Sequence, residues 1–116
     1  MSLYIGVDLG TSACKFLLVN AQGMIVNTIT KEYPLEFPQP GWSQQDPADW
    51  HRAVMEGIPE LLQDFDASQV VGIGSGGQMH GLVALDAADH VIRPAILWND
   101  GRTSKEVDYL NNVVGQ

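Results

Sequence analysis

One stretch near the N-terminus, YIGVDLGTSACK from Tyr4 to Lys15, constrains the fold more than any other part of the sequence. Apolar residues alternate through its first half as they do along a β-strand, and a second apolar strand begins at Lys15. This pattern predicts a hairpin with Gly10, Thr11 and Ser12 at its tip. Backbone N–H groups without ladder partners and two hydroxyl groups can cradle a phosphate there. A hairpin whose polar tip is only solvated is the alternative.

A carboxylate, Asp8, lies just before this hairpin tip. A carboxylate repels phosphate, so its presence beside a phosphate site requires a cation between the two. In nucleotide chemistry that cation is Mg2+, held directly or through water. Asp8 is therefore our candidate metal-binding residue, with a catalytic role in organising the metal and the phosphates.

The chain has 116 residues, of which 45% are hydrophobic and 17% charged, so we expect one folded domain at most. The formal net charge of −8 argues against nucleic acid or an anionic membrane as a partner. No apolar run approaches the ~20 residues of a membrane span, and the N-terminus lacks the basic region of an export signal.

The single cysteine, Cys14, excludes an intrachain disulfide and favours the cytoplasm. Its thiol either fills a tight turn or is activated by Lys15.

The residues after the first hairpin predict more of the same sheet. A turn of the asparagine-to-glycine kind at 20–23 leads into a β-branched strand over 24–33. Together with the hairpin, this strand predicts a three-stranded antiparallel meander. A proline-rich loop over 34–42 follows, because its prolines cannot donate ladder hydrogen bonds.

A helix is predicted next, with Asp46 as its N-cap and Pro47 at its first position. Gly57 and Pro59 interrupt the helical pattern. Because proline inside a helix costs about 3 kcal/mol, we expect a kink or break near Gly57 and a second helical segment to about residue 64.

The helix serves as a crossover to a short apolar strand at 69–74, which we expect to be buried and parallel to a neighbour. The glycine-rich run SGGQMHG over 75–81 leaves the end of this strand, where open α/β sheets bind ligands. Gln78 and His80 offer donors and acceptors suited to hydroxyl groups. His80 is equally compatible with a structural histidine, and core packing is the simpler interpretation of Met79.

The run PAILWNDGR at 94–102 combines a strand-like apolar half with a polar cluster. Asp100 can accept hydrogen bonds from the hydroxyls of a polyol, Arg102 can donate them, and Trp98 offers a flat apolar wall. The alternative is that Asp100 and Arg102 pair with each other across a turn.

The remaining segments are expected to be connecting structure. Residues 82–85 are predicted to be a strand, and His90 is expected to be solvated in the turn that follows. A capping box over 103–106 predicts a final helix, which we expect to fray at Asn111 and Asn112.

Four motifs in this order, YIGVDLGTS, GWSQQDP, GQMHG and PAILWNDGR, cover essentially the whole chain and resemble those of the FGGY carbohydrate kinases. The resemblance implies an α/β fold of the ribonuclease-H-like or actin-like ATPase kind. That fold has two lobes and a mixed sheet, in which an N-terminal three-stranded antiparallel meander is followed by a crossover helix. GQMHG together with WNDGR is similar to the family members that phosphorylate D-xylulose to D-xylulose 5-phosphate with ATP. Another sugar or polyol of the same family remains an alternative substrate.

The resemblance also implies a role for each matching residue. Asp8 would organise Mg2+ as the catalytic and metal-site residue, while the phosphates of ATP would be bound by Gly10, Thr11, Ser12 and Lys15. The residues implied to bind the sugar are Gln78, Met79, His80, Asp100 and Arg102.

The aspartate that serves the family as general base lies well downstream, and no residue of this chain matches it. Residues 1–116 are therefore expected to be part of the N-terminal lobe of a kinase, without the C-terminal lobe and unable to phosphorylate sugar alone. The expected partners are the sugar, ATP and the remainder of the kinase chain. Open sheet edges also leave room for a homodimer.

Two other classes of function stay open at this point. A non-enzymatic ATP-dependent switch of the actin or heat-shock class is compatible with the Asp8 motif, although it does not explain the polyol-type clusters. The second is a binding module in which the fold survives without chemistry. Indifference to polyols would favour the switch, and inability to bind Mg-nucleotide would favour the module.

Overall fold

The computed structural model describes residues 1–115, and its first three strands form the predicted meander. Strand β1 (Leu3–Leu9) pairs antiparallel with β2 (Ala13–Asn20), which pairs antiparallel with β3 (Ile25–Glu32). The Asn20 side chain accepts hydrogen bonds from the backbone N–H of Gln22 and of Met24, both at 3.0 Å, and so closes the second turn. The prediction of strands and turns is confirmed here.

Helix α1 (Pro47–Leu61) begins where its sequence predicts, because the Asp46 side chain accepts a hydrogen bond from the Ala48 N–H at 2.9 Å. The predicted break is wrong, since the helix is continuous through Gly57 and Pro59 and ends at Leu61. Pro59 falls in the last turn, where the helix loses one internal hydrogen bond and has little length left to disrupt.

Gly57 is required by packing, because it lets α1 lie directly on β2. A Cβ atom at this position would come within 2.4 Å of the Phe16 ring. No real side chain fits at that distance, so the glycine sets the separation between the helix and the sheet.

The core lies between α1 and one face of the meander. Its buried residues are Leu3, Ile5, Cys14, Phe16, Leu18, Tyr33, Ala53 and Leu61. The Cys14 side chain is fully buried, and burial raises the pKa of its thiol. The thiol is therefore a packing group and not an activated nucleophile, but it lies within strand β2 and not in the tight turn that was expected.

A 3-10 turn (Ala67–Gln69) leads into β5 (Val70–Gly77), which pairs parallel with β1 and completes the strand order β3-β2-β1-β5. The parallel pairing was predicted, but the expected burial of this strand is wrong: Val71 and Ile73 are 60% and 61% exposed. Helix α1 packs over β2 and β3 and leaves β5 without cover on the described part of the chain.

Residues 78–102 contain little regular structure. Strand β4 (Gln44–Gln45) pairs with β6 (Ala95–Ile96), which confirms part of the predicted strand near Pro94. The strand expected at 82–85 is wrong, because Leu82 and Leu85 each form a single isolated bridge. His90 is exposed in its turn, as expected.

Helix α2 (Ser104–Tyr109) starts at the predicted position, although no side-chain cap bond forms at Thr103. The expected fraying is wrong, since the chain continues as a π-helical turn (Leu110–Val114) that is closed by a 2.7 Å bond from the Gly115 N–H to the Leu110 carbonyl. Among residues 1–115 no helix is both long enough and apolar enough to cross a lipid bilayer.

Candidate functional site

A cleft of about 430 Å³ opens at the carboxyl ends of β1 and β5. It is lined by Asp8, Gly10, Thr11, Gly77, Gln78, Met79, His80 and Trp98. Two turns form most of its wall, and we call them the hairpin tip (residues 10–12) and the cleft turn (residues 78–80). The two turns are 66 or more positions apart in sequence and meet at one edge of the sheet.

The parallel pairing of β1 with β5 is what brings the two turns together. Its register places Leu9 beside Gly77, so each strand delivers its turn at the same level. The Gln78 N–H then donates to the Leu9 carbonyl at 2.8 Å and extends the contact by one residue. This placement follows the general rule that open α/β sheets bind ligands where parallel strands end.

The carbonyl groups of the hairpin tip are all held from the side of the core. The Tyr33 hydroxyl donates to the Gly10 carbonyl, the Gln45 amide donates to the Thr11 carbonyl, and the Tyr33 N–H donates to the Ser12 carbonyl at 3.2 Å. Burial, with smaller contributions from neighbouring groups, raises the pKa of Tyr33 to about 12. Its hydroxyl therefore remains a donor at neutral pH.

Two of the three backbone N–H groups of the same tip have no such partner in the described part of the chain, whereas the Gly10 N–H donates to the Ala13 carbonyl at 3.0 Å. Within residues 1–115, the backbone N–H groups of Thr11 and Ser12 donate to no other group. The Thr11 hydroxyl accepts a 3.2 Å bond from the Trp98 indole, which closes one side of the cleft. The tip thus has fixed carbonyls and unused donors, which is the arrangement that anion-binding turns use.

Asp8 lies at the rim of the cleft, on the face of β1 opposite the core. In the part of the chain that the structure describes, no group of three or more histidine, cysteine or acidic side chains could hold a metal ion. The donor set still fits Mg2+, which is commonly held by one or two carboxylates together with phosphate oxygens and water.

Two of the predicted phosphate-binding residues lie outside this cleft. Lys15 is the cross-strand partner of Asp8 and lines a separate groove of about 490 Å³ on the uncovered face of the sheet. Ser12 is exposed at the hairpin tip but does not line the cleft.

Met79 and His80 project from the cleft turn as exposed residues. Met79 is 67% exposed, so the interpretation of this residue as core packing is wrong. His80 has a φ of +66°, in the left-handed region that non-glycine residues rarely occupy. Strained backbone of this kind is concentrated at functional sites, because the surrounding structure must maintain it.

The amide nitrogen of Gln78 is hydrogen-bonded to residues behind the cleft, whereas its amide oxygen is not. Its Nε2 donates to Gln45 Oε1 at 3.0 Å and approaches the Gly10 carbonyl at 3.5 Å. Its Oε1 is buried and has no hydrogen-bond partner among the described residues.

Asp100 and Arg102 do not line the cleft, and the structure pairs them across a turn, which was the alternative interpretation. Asp100 Oδ2 lies 2.9 Å from Arg102 Nε and accepts a 2.6 Å bond from the Ser43 N–H. The Asp100 and Arg102 side chains are 1% and 9% exposed, and the guanidinium stacks 3.9 Å above the Trp42 ring. The bonds from Arg102 hold the pKa of Asp100 down at about 2. A sugar contact by either residue stays a prediction.

Sequence reasoning missed Gln45, whose side-chain amide forms four hydrogen bonds in this region. It is fully buried and adjoins another glutamine, Gln44, which is only partly buried and binds Arg102 at 3.1 Å. The sequence holds no signal that distinguishes these two neighbours, because only the register of β4 decides which one points inward.

The chain matches the N-terminal domain of the FGGY family of carbohydrate kinases over residues 3–116, and it belongs to that family. Several relatives are named xylulose kinase. The one from Escherichia coli (strain K12) is 44% identical over 114 residues, an alignment that covers 98% of this chain and 24% of the relative. The one from Staphylococcus xylosus is 43% identical over 115 residues and covers 99% and 24%. This chain therefore spans about a quarter of the length of these relatives.

Solved structures show the same similarity in three dimensions. The ligand-bound xylulose kinase from Lactobacillus acidophilus aligns with a TM-score of 0.91 at 32% identity, covering 97% of this chain and 23% of that one. The gluconate kinase from the same organism aligns with a TM-score of 0.90 at 32% identity, covering 96% and 22%. The predicted actin-like ATPase fold and the resemblance to this family are confirmed.

Proposed function

We propose that this chain supplies one wall of the active cleft in an ATP-dependent sugar kinase that converts D-xylulose to D-xylulose 5-phosphate. The observation that carries the proposal is the meeting of the hairpin tip and the cleft turn at one cleft. One turn has unused anion-binding donors, and the other presents side chains suited to a polyol. The relatives named xylulose kinase support D-xylulose as the sugar.

On the phosphate side, the Thr11 N–H group and hydroxyl would contact the phosphates of ATP inside the cleft, and those of Ser12 would contact them from the exposed end of the hairpin tip, beyond the cleft lining. Asp8 would hold Mg2+, which supplies charge neutralisation between the phosphates when it is bound. Lys15 lies on β2 beside Asp8, on the same uncovered face of the sheet but outside the cleft lining, so we assign it only the longer-range electrostatic attraction of a positive charge for the phosphates.

On the sugar side, Met79 would pack on the carbon chain and His80 would hydrogen-bond a hydroxyl. The unpartnered Gln78 Oε1 would accept a further hydrogen bond, from the sugar or from a water that the sugar retains. Asp100 and Arg102 would act at a distance, by holding the segment that carries Trp98.

The reaction breaks the bond between the γ-phosphorus and the oxygen that bridges it to ADP, and forms a bond from that phosphorus to the terminal hydroxyl oxygen. The hydroxyl proton must leave to a base. We propose that the base lies in the remainder of the kinase, because Asp8 is committed to the metal. Phosphoryl transfer depends mainly on alignment and charge neutralisation, and the residues of this chain would supply a large part of both.

The test is a coupled assay of the full-length protein that carries this chain, against a panel of ketoses, polyols and gluconate. We expect phosphorylation of D-xylulose, a loss of at least about 100-fold in kcat for Asp8→Asn, and a raised KM for D-xylulose in His80→Ala. His90→Ala is the matched control, since His90 is an exposed histidine in a turn outside the cleft. Phosphorylation of sugar by residues 1–116 alone would contradict the proposal that the catalytic base lies in the remainder of the kinase.

A kinase for another sugar is the second candidate. The specific observation in its favour is that the gluconate kinase structure aligns almost as well as the xylulose kinase structure, with TM-scores of 0.90 and 0.91. Phosphorylation of gluconate and not of D-xylulose would select it. MgATP binding without phosphorylation of any member of the panel would favour the ATP-dependent switch instead.

A further inference from the structure

We propose that Gln45 is a positioning residue that fixes the hairpin tip and the cleft turn relative to each other. This inference rests on the proposed function, because it concerns the alignment of the phosphate and sugar sides of the same cleft. Gln45 lines neither side itself, and it is fully buried behind both.

All four hydrogen-bonding positions of the Gln45 amide are occupied. Its Nε2 donates to the carbonyls of Thr11 and of Pro34, the latter at 3.4 Å. Its Oε1 accepts from the Trp50 indole and from the Gln78 amide, both at 3.0 Å. One side chain thereby connects the hairpin tip, the loop after β3, helix α1 and the cleft turn.

The direction of every bond in this network is determined by chemistry. The indole of Trp50 can only donate, so Gln45 Oε1 must face it, and Gln45 Nε2 must face the two carbonyls, which can only accept. Gln78 then has to donate to Gln45. The atom of Gln78 left without a partner is consequently its oxygen, an acceptor.

This connection adds a constraint that the sheet does not provide. The ladder between β1 and β5 ends at Leu9 and Gly77, just before the two turns. Beyond that point the turns are joined through the Gln78 contacts, with the Leu9 carbonyl and with Gln45 among them. A buried hydrogen bond is strong and directional, so loss of the Gln45 bridge should shift one turn against the other.

The first test is Gln45→Glu in the full-length protein. The carboxylate keeps the size of the side chain but cannot donate, so it faces the Thr11 and Pro34 carbonyls with an unfavourable charge. We expect kcat to fall by about 10- to 100-fold, because misplacement by about 1 Å has effects of that size. The ratio of ADP released to sugar phosphate formed should rise, since water replaces a misaligned hydroxyl as the acceptor.

Two readouts separate positioning from folding. The ADP to sugar-phosphate ratio does not depend on the fraction of folded enzyme. Hydrogen exchange in the substrate-free protein should increase in peptides that contain residues 10–12 and 78–80. The control Gln63→Glu makes the same change at an exposed residue beyond α1 and should leave both readouts at wild-type values.

Trp50→Phe is a second, milder variant that keeps an aromatic ring and removes the donor that orients Gln45. It should change both readouts in the same direction by a smaller factor, and it serves as the test of the inference if Gln45→Glu does not fold.

A folded variant with an unchanged ratio of ADP to sugar phosphate and unchanged hydrogen exchange overturns the inference, even if its kcat is lower. Absence of ketose phosphorylation by the wild type overturns the proposed function and this inference together, whereas an active wild type with unaffected variants overturns only the inference.

Discussion

Residues 3–70 and residues 71–115 are held in place by different forces. The first region buries eight core residues between α1 and the meander. In the second region, as far as the structure describes it, the only buried apolar residues are Ala95 and Leu97. Its contacts with the first region are largely polar, and they include the pairs Gln78 with Gln45, Asp100 with Ser43 and Trp98 with Thr11.

The first region therefore supplies most of the folding stability, whereas the polar contacts of the second region determine where the cleft side chains lie. Burial of apolar side chains is non-directional and large in sum, whereas a hydrogen bond contributes only about 1 kcal/mol net but specifies a distance and an angle. The cleft residues of the second region therefore depend on the β1–β5 ladder to bring them to the edge of the sheet, and on a few side-chain hydrogen bonds for their final position. Exposed apolar residues such as Val71 and Ile73 leave an uncovered surface of the kind that binds a further partner.

The largest effect is expected from removing the core of the first region. Phe16→Ala should lower the free energy of unfolding by about 3–5 kcal/mol, because it empties space under Gly57 that neighbouring groups cannot fill. Leu17→Ala is the matched control on the opposite, uncovered face of β2, where the side chain is 38% exposed, and it should cost less than about 1 kcal/mol. Urea-induced unfolding of the chain measures the free energy of unfolding of both variants. Equal losses would contradict the conclusion that only one face of β2 is packed against a core.

An intermediate effect is expected from the polar attachment of the second region. Asp100→Asn leaves Arg102 without its buried anionic partner and should cost about 1–3 kcal/mol. Its signature is local, since hydrogen exchange should increase at residues 95–102 before it changes in the meander. Asp108→Asn, an exposed change on α2, serves as the control. Uniform loosening of both regions by Asp100→Asn would show that they unfold as one unit.

The smallest effect is expected from protonating the same carboxylate. The pKa of Asp100 is lowered to about 2 in the folded chain, so its contribution to stability is complete above the ordinary aspartate range. That contribution is lost as the pH falls from about 4 to about 2. The difference in Tm between the wild type and Asp100→Asn should therefore narrow over this range, and a constant difference would exclude the ion pair as its source.

The sequence predicted those parts of the fold that local patterns determine. Alternation of apolar residues was sufficient for the meander, and Asp46 with Pro47 marked the start of α1. The helix break at Gly57 was predicted wrongly because the pattern shows a glycine but not the Phe16 ring that requires it. The burial of β5 was predicted wrongly for a similar reason, since an apolar strand does not indicate what covers it.

The candidate site was predictable to a similar degree. A hydroxyl-bearing turn after the first apolar strand and a glycine-rich turn after the later one pointed to the hairpin tip and the cleft turn. Their adjacency was not predicted, because the sequence did not show which strand β5 pairs with. The pairing of Asp100 with Arg102 was one of two interpretations of the sequence, whereas the bridging role of Gln45 depends on side-chain directions in a two-residue strand. Such directions are set by tertiary contacts and have no periodic signal in so short an element.

Gly57 also has a consequence for the geometry of the cleft. Helix α1 begins at Pro47, two residues after Gln45, and Gly57 lies ten residues further along, which is about 15 Å of helix axis. A rigid helix transmits a displacement at one end to the other. A methyl group added at Gly57 would push α1 away from β2 and so displace Gln45 near the start of the helix. The distance between the helix and the sheet therefore helps to determine the shape of the cleft.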